Sequence, residues 1–382
     1  MAGMCLANAL VIAVAAMLWR VHASAPDLFY GLVQEDGALE WGTFWAFLLA
    51  ACVAGVGAVR QRRHAGRLPW CFAGLALFCF GVAMEEISWG QRLLGYRPHP
   101  YFLEHNFQQE FNLHNVASMQ LRRLALQLVS GGYGVALPLL LLVPALGRGA
   151  GRIRLFGPPT ALVPAFAVTF LLYVVYPFKF AGEVVELMLG LGFLFALLAR
   201  LRELPPAARP ARAAAAAAEI ALYAALVALL SLGSVSLETG FPSLNRTLDS
   251  QRLAAARVEL AALERDLLRV MQARGGKLAS SCQLHKRLYS YVEKYEVAEL
   301  LELEFSRLSG PGVPEARVEF FLDPWNSPYW IRDRCTRDGK RRSTFVYSLG
   351  PNRRRDSSKW ELRGDDLGAY LMRTEPDEAA HP

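Results

Sequence analysis

The stretch ARAAAAAAEIALYAALVALLSLGSVSLE, residues 211–238, marks the point where the chain changes from apolar to charged sequence. Between Ala213 and Leu232 it carries a single charge, Glu219, and it has the roughly 20 apolar residues that a membrane-crossing helix needs. Six further apolar blocks precede it, and charged sequence follows it. The 382 residues therefore divide into a membrane half, residues 1–237, and a water-soluble half.

The membrane half contains seven apolar blocks, and we predict a transmembrane helix for each. The first block is interpreted as a span rather than a signal peptide, because no charged segment precedes it and the small residues near Ala23 make a poor cleavage site. The predicted fold class is an α-helical polytopic membrane module followed by a small α+β domain. The seven blocks are Leu6–Trp19, Trp41–Val59, Leu68–Ala83, Val135–Leu146, Ala161–Phe178, Val184–Leu198 and Ala213–Leu232.

Arginine collects in the loops after the second, fourth and sixth predicted spans. Because cytoplasmic loops carry an excess of Lys and Arg, we expect these loops and the amino terminus in the cytoplasm. The loops after the first, third and fifth spans, and everything after the seventh, are then expected on the outer side. The arginines that support this assignment are Arg60, Arg62, Arg63, Arg67, Arg148, Arg152, Arg154, Arg200, Arg202, Arg209 and Arg212.

The formal net charge of +7 does not indicate a nucleic-acid partner. Residues 238–382 hold 24 Lys and Arg against 22 Asp and Glu, so the soluble half contributes only +2. The remaining positive charge lies in the membrane half, where topology accounts for it. We therefore expect the lipid bilayer as a partner and do not expect nucleic acid.

The soluble half begins with a predicted long helix, which we expect to end at Gly275, because glycine commonly follows the last turn of a helix. A second helix is predicted for residues 284–308. Strand-like runs at 316–330 and 342–350 predict a short antiparallel sheet, and residues 373–382 are predicted to be a disordered tail. The apolar stripe of the first helix consists of Leu253, Leu260, Leu263, Leu267 and Met271.

Two of the six cysteines, Cys282 and Cys335, lie in the soluble half. This half is predicted to face an oxidising compartment, where disulfides form and persist. The sequence does not determine the distance between the two residues, so a disulfide between them is left open.

Three short motifs of the soluble half follow the order found in one known family. They are DPWNSPYW (323–330), FVYSLGPN (345–352) and GDDLGAY (364–370). Through them the chain resembles the carboxyl-terminal domain of the major pseudopilin of type II secretion, the G-type family, which shows Asp-Pro-Trp-Gly-x-Pro-Tyr and then Tyr-Ser-Leu-Gly-Ala-Asp-Gly. The resemblance implies a pseudopilin-like periplasmic domain over residues 238–372, anchored in a bacterial inner (cytoplasmic) membrane, with secretion-system or other envelope proteins as partners.

In that family the loop after Ser-Leu-Gly binds calcium, an ion that prefers oxygen ligands. The resemblance would place Asp365 and Asp366 at the calcium site, with Asn352 and Asp356 as further candidates. This loop departs from the family pattern, because it is longer and carries Arg353–Arg355, whose charge opposes a cation. A solvated acidic turn is the alternative.

A second departure concerns the anchor of the pseudopilin-like domain. Family members begin with a short basic leader, a Gly-Phe-Thr-Leu-Ile-Glu processing site and a single apolar helix. Here Glu219 lies near the start of the apolar helix, but no such site surrounds it and six predicted spans precede it. We therefore expect a domain that stays anchored and is neither released nor polymerised.

The membrane half carries a second resemblance. EDGALEW (35–41), EEISWGQR (85–92) and NFQQEFNLHN (106–115) resemble motifs of a group of uncharacterised bacterial multi-pass membrane proteins. The match covers about residues 25–120 and implies no activity. The predicted topology puts all three motifs on the outer side. Because charged groups near membrane depth are costly unless paired or hydrated, we expect them to share a polar cavity.

Three interpretations of this polar site stay open. If residues 106–118 are helical, Glu110 and His114 share one face and, joined by another glutamate, would bind zinc or iron and activate water. The site would otherwise be a pocket for a ligand or lipid headgroup, or a structural network in which an arginine pairs with a glutamate and amides bond the backbone. The candidate residues are Asp36, Glu85, Glu86, Gln91, Arg92, Glu110 and His114.

The sequence favours an envelope-anchored, pseudopilin-like protein with a noncatalytic role in secretion or assembly and an outward-facing polar site of unknown ligand. The alternative is a membrane-embedded, metal-dependent hydrolase that acts on a lipid or another envelope substrate. The chain has no Gly-rich phosphate loop, Gly-x-Ser-x-Gly or Cys-x-x-Cys motif. Whether it is an enzyme is therefore left open.

Overall fold

The computed structural model divides the chain into two compact units. The first unit comprises Met1–Arg92 and Phe111–Leu237, and the second comprises Leu93–Glu110 and Glu238–Pro382. The second unit therefore includes a loop, Leu93–Glu110, that the sequence assigned to the membrane half. The residues that the structure describes are 2–34, 37–66, 69–94, 96–106, 108–204, 213–240, 246–298, 305, 313–338, 340–353 and 355–374.

Helices account for most of the chain up to residue 240. A 3-10 turn at Ser88–Gly90, a second at Thr160–Leu162 and a π-helical stretch at Leu128–Ala136 interrupt or extend them. In chain order the helices are α1 (Ala2–Ser24), α2 (Pro26–Leu32), α3 (Ala38–Ala65), α4 (Trp70–Glu86), α5 (Gln91–Leu94), α6 (Pro100–His105), α7 (Met119–Gln127), α8 (Leu137–Leu140), α9 (Pro144–Arg152), α10 (Val163–Val175), α11 (Ala181–Arg202) and α12 (Ala213–Gly240).

Among the described residues, five helices are long and apolar enough to cross a membrane, and they indicate a membrane protein. Seven spans were predicted. The other two predicted segments lie largely on α4 and α10, which have 17 and 13 residues. At about 1.5 Å per residue they fall short of the roughly 30 Å hydrocarbon core. The five candidates are Ala2–Ser24, Ala38–His64, Met119–Leu140, Ala181–Arg202 and Ala214–Leu237.

The fourth predicted span was misplaced. The sequence put it at Val135–Leu146, whereas the candidate span runs from Met119 to Leu140 and Leu146 lies on the separate helix α9. The first turns of this helix carry Arg122 and Arg123, so a search for uncharged blocks begins too late. The helix continues from α7 through the π-helical stretch into α8.

Helix α11 forms the centre of the first unit. Its residues are buried almost without interruption from Val184 to Leu198, whereas most side chains of α12 are exposed. Gly190 allows α11 to approach α3 closely, because a Cβ at this position would lie 2.9 Å from the Cβ of Ala46. Exposed apolar side chains on the outer helices are the surface expected of helices in lipid.

The second unit combines helices with one antiparallel sheet. The sheet order is β1-β2-β3-β4, and α13 packs against β3 and β4. Gly275 and Gly276 follow α13 with positive φ, as expected for the end of this helix. Besides α6, the elements are α13 (Arg246–Ala273), β1 (Gln283–Arg287), α14 (Leu288–Tyr295), α15 (Glu315–Glu319), β2 (Trp330–Cys335), β3 (Arg342–Ser348) and β4 (Leu367–Thr374).

Two predictions for the second unit were only partly right. The helix expected at 284–308 is confirmed over α14, but its first residues form strand β1, because pairing with β2 overrides local helical preference. The strand expected at 316–330 is instead α15 followed by turns, since Pro324 and Pro328 cannot donate to a strand ladder. Part of the predicted second helix, 299–304 and 306–308, lies outside the described residues, as does the predicted tail from residue 375. Arg373 and Thr374 belong to β4.

A buried ion pair and a disulfide tie the second unit together. Arg317 donates from Nη2 to Glu259 Oε1 (2.6 Å) and from Nη1 to Glu259 Oε2 (3.1 Å), and the Tyr329 hydroxyl donates to the same Oε2 (2.8 Å). A bidentate pair with a third donor compensates for the water that both charges lose. The disulfide left open by the sequence is present: Cys282 and Cys335 are bonded, with their Cα atoms 5.6 Å apart.

Candidate functional site

Glu85, near the end of α4, accepts hydrogen bonds from the segment at residues 113–114. Its Oε2 accepts hydrogen bonds from the backbone N–H groups of Leu113 (2.6 Å) and His114 (3.0 Å), and its Oε1 accepts one from the Trp89 indole (2.7 Å). His114 Nδ1 also lies 3.4 Å from Glu85 Oε2. Hydrogen bonds to a charged group are among the strongest in proteins, so this carboxylate fixes the position of residues 113–114.

Ser88 and Gln91, which follow Glu85 at intervals of three residues, also bond to this segment. Asn112 Nδ2 donates to Ser88 Oγ (2.9 Å), and the Phe111 N–H donates to Gln91 Oε1 (2.6 Å). Ser88, Gln91 and Asn112 are buried. We call these bonds, from Glu85 with 113–114 to Gln91 with Phe111, the polar staple.

The backbone within the polar staple is strained. Ser88 (φ 47°) and Trp89 (φ 55°) adopt left-handed conformations beside Gly90 (φ 77°). Such a conformation costs a residue with a side chain about 1–2 kcal/mol. The hydrogen bonds of the polar staple offset this cost and keep Ser88 and Gln91 against their partners.

The predicted pairing of Glu110 with His114 on one helix face was wrong. None of the described residues between 106 and 118 is helical. Asn106 turns the chain instead, because its Oδ1 accepts from the Gln108 N–H (2.6 Å) and its Nδ2 donates to the Glu110 carbonyl (2.6 Å). Short asparagine-to-backbone bonds compete with helix formation. Glu110 belongs to the second unit and His114 to the first.

A group of four carboxyl side chains lies beside the polar staple in the first unit. Glu86, at the end of α4, is within electrostatic range of Glu40 on α3 and of Glu183 and Glu186 on α11. Three helices that are far apart in sequence therefore bring these residues together. We call Glu40, Glu86, Glu183 and Glu186 the carboxylate group.

The polar motifs of the sequence contain Glu40 and Glu86 but not Glu186. The available signal was a lone carboxylate inside an apolar block, since ionisable residues at membrane depth are rare and usually functional. Glu186 also lies within electrostatic range of His114 and Arg122. Asp36 and the side chain of Arg92 lie outside the described residues. In the described part of the chain, no three His, Cys, Asp or Glu side chains are arranged to hold a metal.

In the second unit, Asp323 joins two of the three motif segments, residues 323–330 and 345–352. Its Oδ1 accepts from the N–H groups of Trp325 (3.0 Å) and Ser327 (2.8 Å), and its Oδ2 accepts from the Ser348 hydroxyl (2.6 Å). Ser348 Oγ in turn accepts from the Gly350 N–H (2.9 Å). Asp323 is fully buried, and burial raises its pKa to about 6.

The residues that the family resemblance assigns to calcium form an acidic turn, which we define as Asp356, Asp365 and Asp366. Asp356 Oδ2 accepts from Asn352 Nδ2 (2.9 Å) and from the Asp365 N–H (2.8 Å). Asp366 Oδ2 accepts from the Ser357 N–H (2.8 Å), while its buried Oδ1 has no hydrogen-bond partner. Burial raises the pKa of Asp366 to about 6. Calcium prefers oxygen ligands, but among the described residues these three side chains do not form a group arranged to hold a metal ion, so calcium stays a prediction of the resemblance.

No protein-family model, curated protein or solved structure matches this chain. Both resemblances stated from the motifs therefore stay predictions. The function has to be argued from the polar staple, the carboxylate group and the fold of the second unit.

Replacing Glu85 by alanine is expected to destabilise the first unit. Two backbone N–H groups and the Trp89 indole would lose their acceptor, and hydrogen bonds to a charged group are worth about 1.5–3 kcal/mol each. We expect the free energy of unfolding to fall by at least about 3 kcal/mol. Thermal unfolding of the full chain in detergent measures this change.

The control for Glu85→Ala is Glu104→Ala, which removes an exposed carboxyl and should change stability by less than about 0.5 kcal/mol. Wild-type stability of the Glu85→Ala variant would contradict the structural role. It would favour a functional one, because replacing a functional group commonly leaves stability unchanged or raises it.

The buried Asp323 predicts a pH dependence of stability with a defined sign. Its pKa is raised in the folded state, so its contribution is fully present below about pH 4 and is lost as the pH rises through about 6. Asp323→Asn cannot ionise. Relative to wild type, its free energy of unfolding should therefore rise by up to about 3 kcal/mol between pH 4 and pH 7. The full chain is denatured in urea, and the susceptibility of the second unit to proteolysis reports its unfolding at each pH.

The matched control for this pH dependence is Asp338→Asn. The Thr336 hydroxyl lowers the pKa of this exposed carboxyl, so its effect on stability lies below about pH 4 and the variant should follow wild type between pH 4 and pH 7. A parallel response of the Asp323→Asn and Asp338→Asn variants would show that Asp323 is not the titrating group.

Proposed function

We propose that this protein is an envelope-anchored, pseudopilin-like component with a noncatalytic role in secretion or assembly. The observation that carries the proposal is the bond between Asp323 and Ser348, which joins the Asp-Pro-Trp and Ser-Leu-Gly motifs through one buried carboxyl. The packing of α13 on a four-stranded antiparallel sheet also supports it. An anchored domain of this kind contributes a binding surface to an assembly and is not itself a polymer subunit.

We propose a location in the bacterial inner membrane, with the amino terminus in the cytoplasm and the second unit in the periplasm. The arginine-rich loops support this orientation through the positive-inside rule. Five spans and seven spans are both odd numbers, so either count puts the two ends of the chain on opposite sides, but only the seven-span arrangement puts the loop with Arg148, Arg152 and Arg154 in the cytoplasm. The disulfide between Cys282 and Cys335 suits an oxidising compartment.

Within this proposal, the residues of the polar motifs divide into two roles. Glu85, Ser88 and Gln91 position the backbone through the polar staple. We propose the carboxylate group as the outward-facing polar site, and its four carboxyl side chains suit a cationic ligand that is bound through oxygen. A metal-dependent hydrolase is the second proposal, because His114 lies within electrostatic range of Glu186 and would add a nitrogen ligand.

Protein export in the native host tests the secretion role. Asp323→Ala leaves two N–H groups and the Ser348 hydroxyl without their acceptor, so we expect the motif region to lose its fold and secretion to fall. Asp338→Ala, an exposed change in the same unit, is expected to secrete normally. Mass spectrometry of culture supernatants, with immunoblots for membrane abundance, measures both.

Unchanged secretion by a strain that lacks the gene would contradict the secretion role. Elemental analysis of the purified full chain then tests the second proposal. Near-stoichiometric zinc or iron that disappears in His114→Ala would support the hydrolase, and a metal-free chain would remove it.

Calcium binding at the acidic turn is a separate prediction of the family resemblance. Sites of this kind in extracellular modules bind calcium at about 0.1–1 mM, so about 5 mM calcium should raise the melting temperature of the second unit. Asp366→Asn should abolish the increase, because Asp366 Oδ1 is the buried oxygen without a partner. Differential scanning fluorimetry with magnesium and with Asp338→Asn as controls measures it; an equal response to magnesium would contradict a calcium site.

A further inference from the structure

A short helix, α9, follows the candidate span Met119–Leu140 without being part of it. The backbone is extended at Val143, and Pro144 begins the new helix, which ends at Arg152. A proline suits the start of a helix, because the N–H that it lacks would have no partner in the first turn. The span and α9 are therefore separate helices that follow each other in the first unit.

The surface of α9 is both apolar and basic. Leu146 is 50% exposed, and Ile153, the residue after the helix, is 57% exposed. Arg148 and Arg152 are exposed too, and side chains four residues apart lie on the same side of a helix. A helix that presents arginine together with apolar side chains is typical of the boundary between lipid and water, where the arginine stem covers apolar surface and the charge stays in water.

The segment after α9 is bonded to two other helices of the first unit. Trp70, at the start of α4, donates from Nε1 to the Ile153 carbonyl (2.5 Å), and Arg200, near the end of α11, donates from Nε to the Gly157 carbonyl (2.9 Å). Trp70 is itself exposed, and tryptophan is enriched where a bilayer meets water. Arg200 also pairs with Glu203 (2.8 Å), so its charge is already neutralised within the protein.

Arg154 occupies a backbone position that favours glycine. After α9 the Leu155 N–H donates to the Ala150 carbonyl (2.9 Å), and the Arg154 N–H donates to the Gly151 carbonyl (3.2 Å). This pair of bonds ends a helix through one residue in the left-handed conformation, which is most often glycine. Arg154 adopts that conformation with φ 55°, although it is unfavourable for a residue with a side chain. Backbone strain at a charged residue points to a role for its side chain.

The positive charge of this segment is not balanced by carboxylates. Arg148, Arg152 and Arg154, which we call the basic triplet, have no ion pair or side-chain hydrogen bond among the described residues. Residues 111–182 contain no Asp or Glu, so the neighbouring sequence supplies no carboxylate either. The bias of arginine toward one side of a membrane accounts for charge near a span, but not for an arginine in a strained position. The basic triplet therefore suits an anion from outside the protein.

We propose that the basic triplet binds the headgroup of an anionic phospholipid. The candidate span Met119–Leu140 leads directly into α9, so lipid is the partner that lies beside this surface. The exposed side chains of Leu146 and Ile153 contact acyl chains, while the guanidinium groups donate to phosphate oxygens, for which their planar fork is suited. Basic clusters beside membrane helices bind acidic headgroups. A zwitterionic lipid offers the same phosphate, but the arginines repel its ammonium group.

Native mass spectrometry of the full chain in a neutral detergent tests this lipid site. Dioleoyl phosphatidylglycerol or dioleoyl phosphatidylcholine is added, and the spectra give the apparent dissociation constant of the first bound lipid. We expect the anionic lipid to bind about 25-fold more tightly or better, because each arginine near a membrane surface contributes a factor of about five. The double variant Arg148→Gln, Arg152→Gln should lose about 25-fold in affinity for phosphatidylglycerol.

Arg154→Gly separates lipid binding from structural support. It should weaken phosphatidylglycerol binding about fivefold. Its melting temperature without lipid should equal or exceed that of wild type, because glycine suits the left-handed position. Arg154→Lys keeps the charge and should restore most of the affinity. Thermal unfolding in the same detergent measures the melting temperatures and checks that every variant is folded.

The matched control is the double variant Arg62→Gln, Arg63→Gln, which removes two exposed charges from the last turn of α3. Its affinity for phosphatidylglycerol should equal that of wild type. Equal binding of the two lipids, or an equal loss of affinity in the control, would overturn the proposal. A lower melting temperature of Arg154→Gly with unchanged lipid affinity would also overturn it, since Arg154 would then only support the fold.

Discussion

Each unit depends on one carboxylate that accepts hydrogen bonds from a distant part of the chain. Glu85 accepts from the backbone at Leu113 and His114, and Asp323 accepts from the Ser348 hydroxyl and from its own turn. A carboxylate taken out of water is costly unless several donors replace the lost solvent. That requirement makes the two connections specific, because a single side-chain position satisfies all the donors at once.

The same requirement identifies residues whose role is to hold the structure. Glu85 and Gln91 attracted attention as a possible catalytic or metal site, yet both of them bond to residues 111–114. Glu86, one position further along α4, enters the carboxylate group instead. Adjacent glutamates thus have different roles, since neighbouring positions on a helix point in different directions.

Arginine side chains in the second unit also differ in their surroundings. Glu259 and Arg317 neutralise each other through a bidentate pair inside the unit. Arg287 and Arg355 both lie against the Trp330 ring, which offers each a cation–π surface. The first arrangement holds α13 to α15, whereas the second packs charged side chains against an aromatic ring.

The sequence by itself determined the features that depend on local pattern. Long apolar blocks predicted a membrane half, and the stripe ending before Gly275 predicted α13, because bilayer thickness and helical period are read within one segment. The helix that begins at Met119 has polar first turns, so a search for apolar blocks did not find its start. A turn at Asn106 stands in place of the helix expected for Glu110 and His114.

Only the tertiary structure decided which distant residues meet. The bonds between Glu85 and residues 113–114, the carboxylate group of α3, α4 and α11, and the pairing of β1 with β2 all join segments that are far apart in sequence. The convergence of Arg287 and Arg355 on Trp330 belongs with them. No local propensity specifies such contacts, because their energy exists only after the chain has brought the partners together and removed them from water.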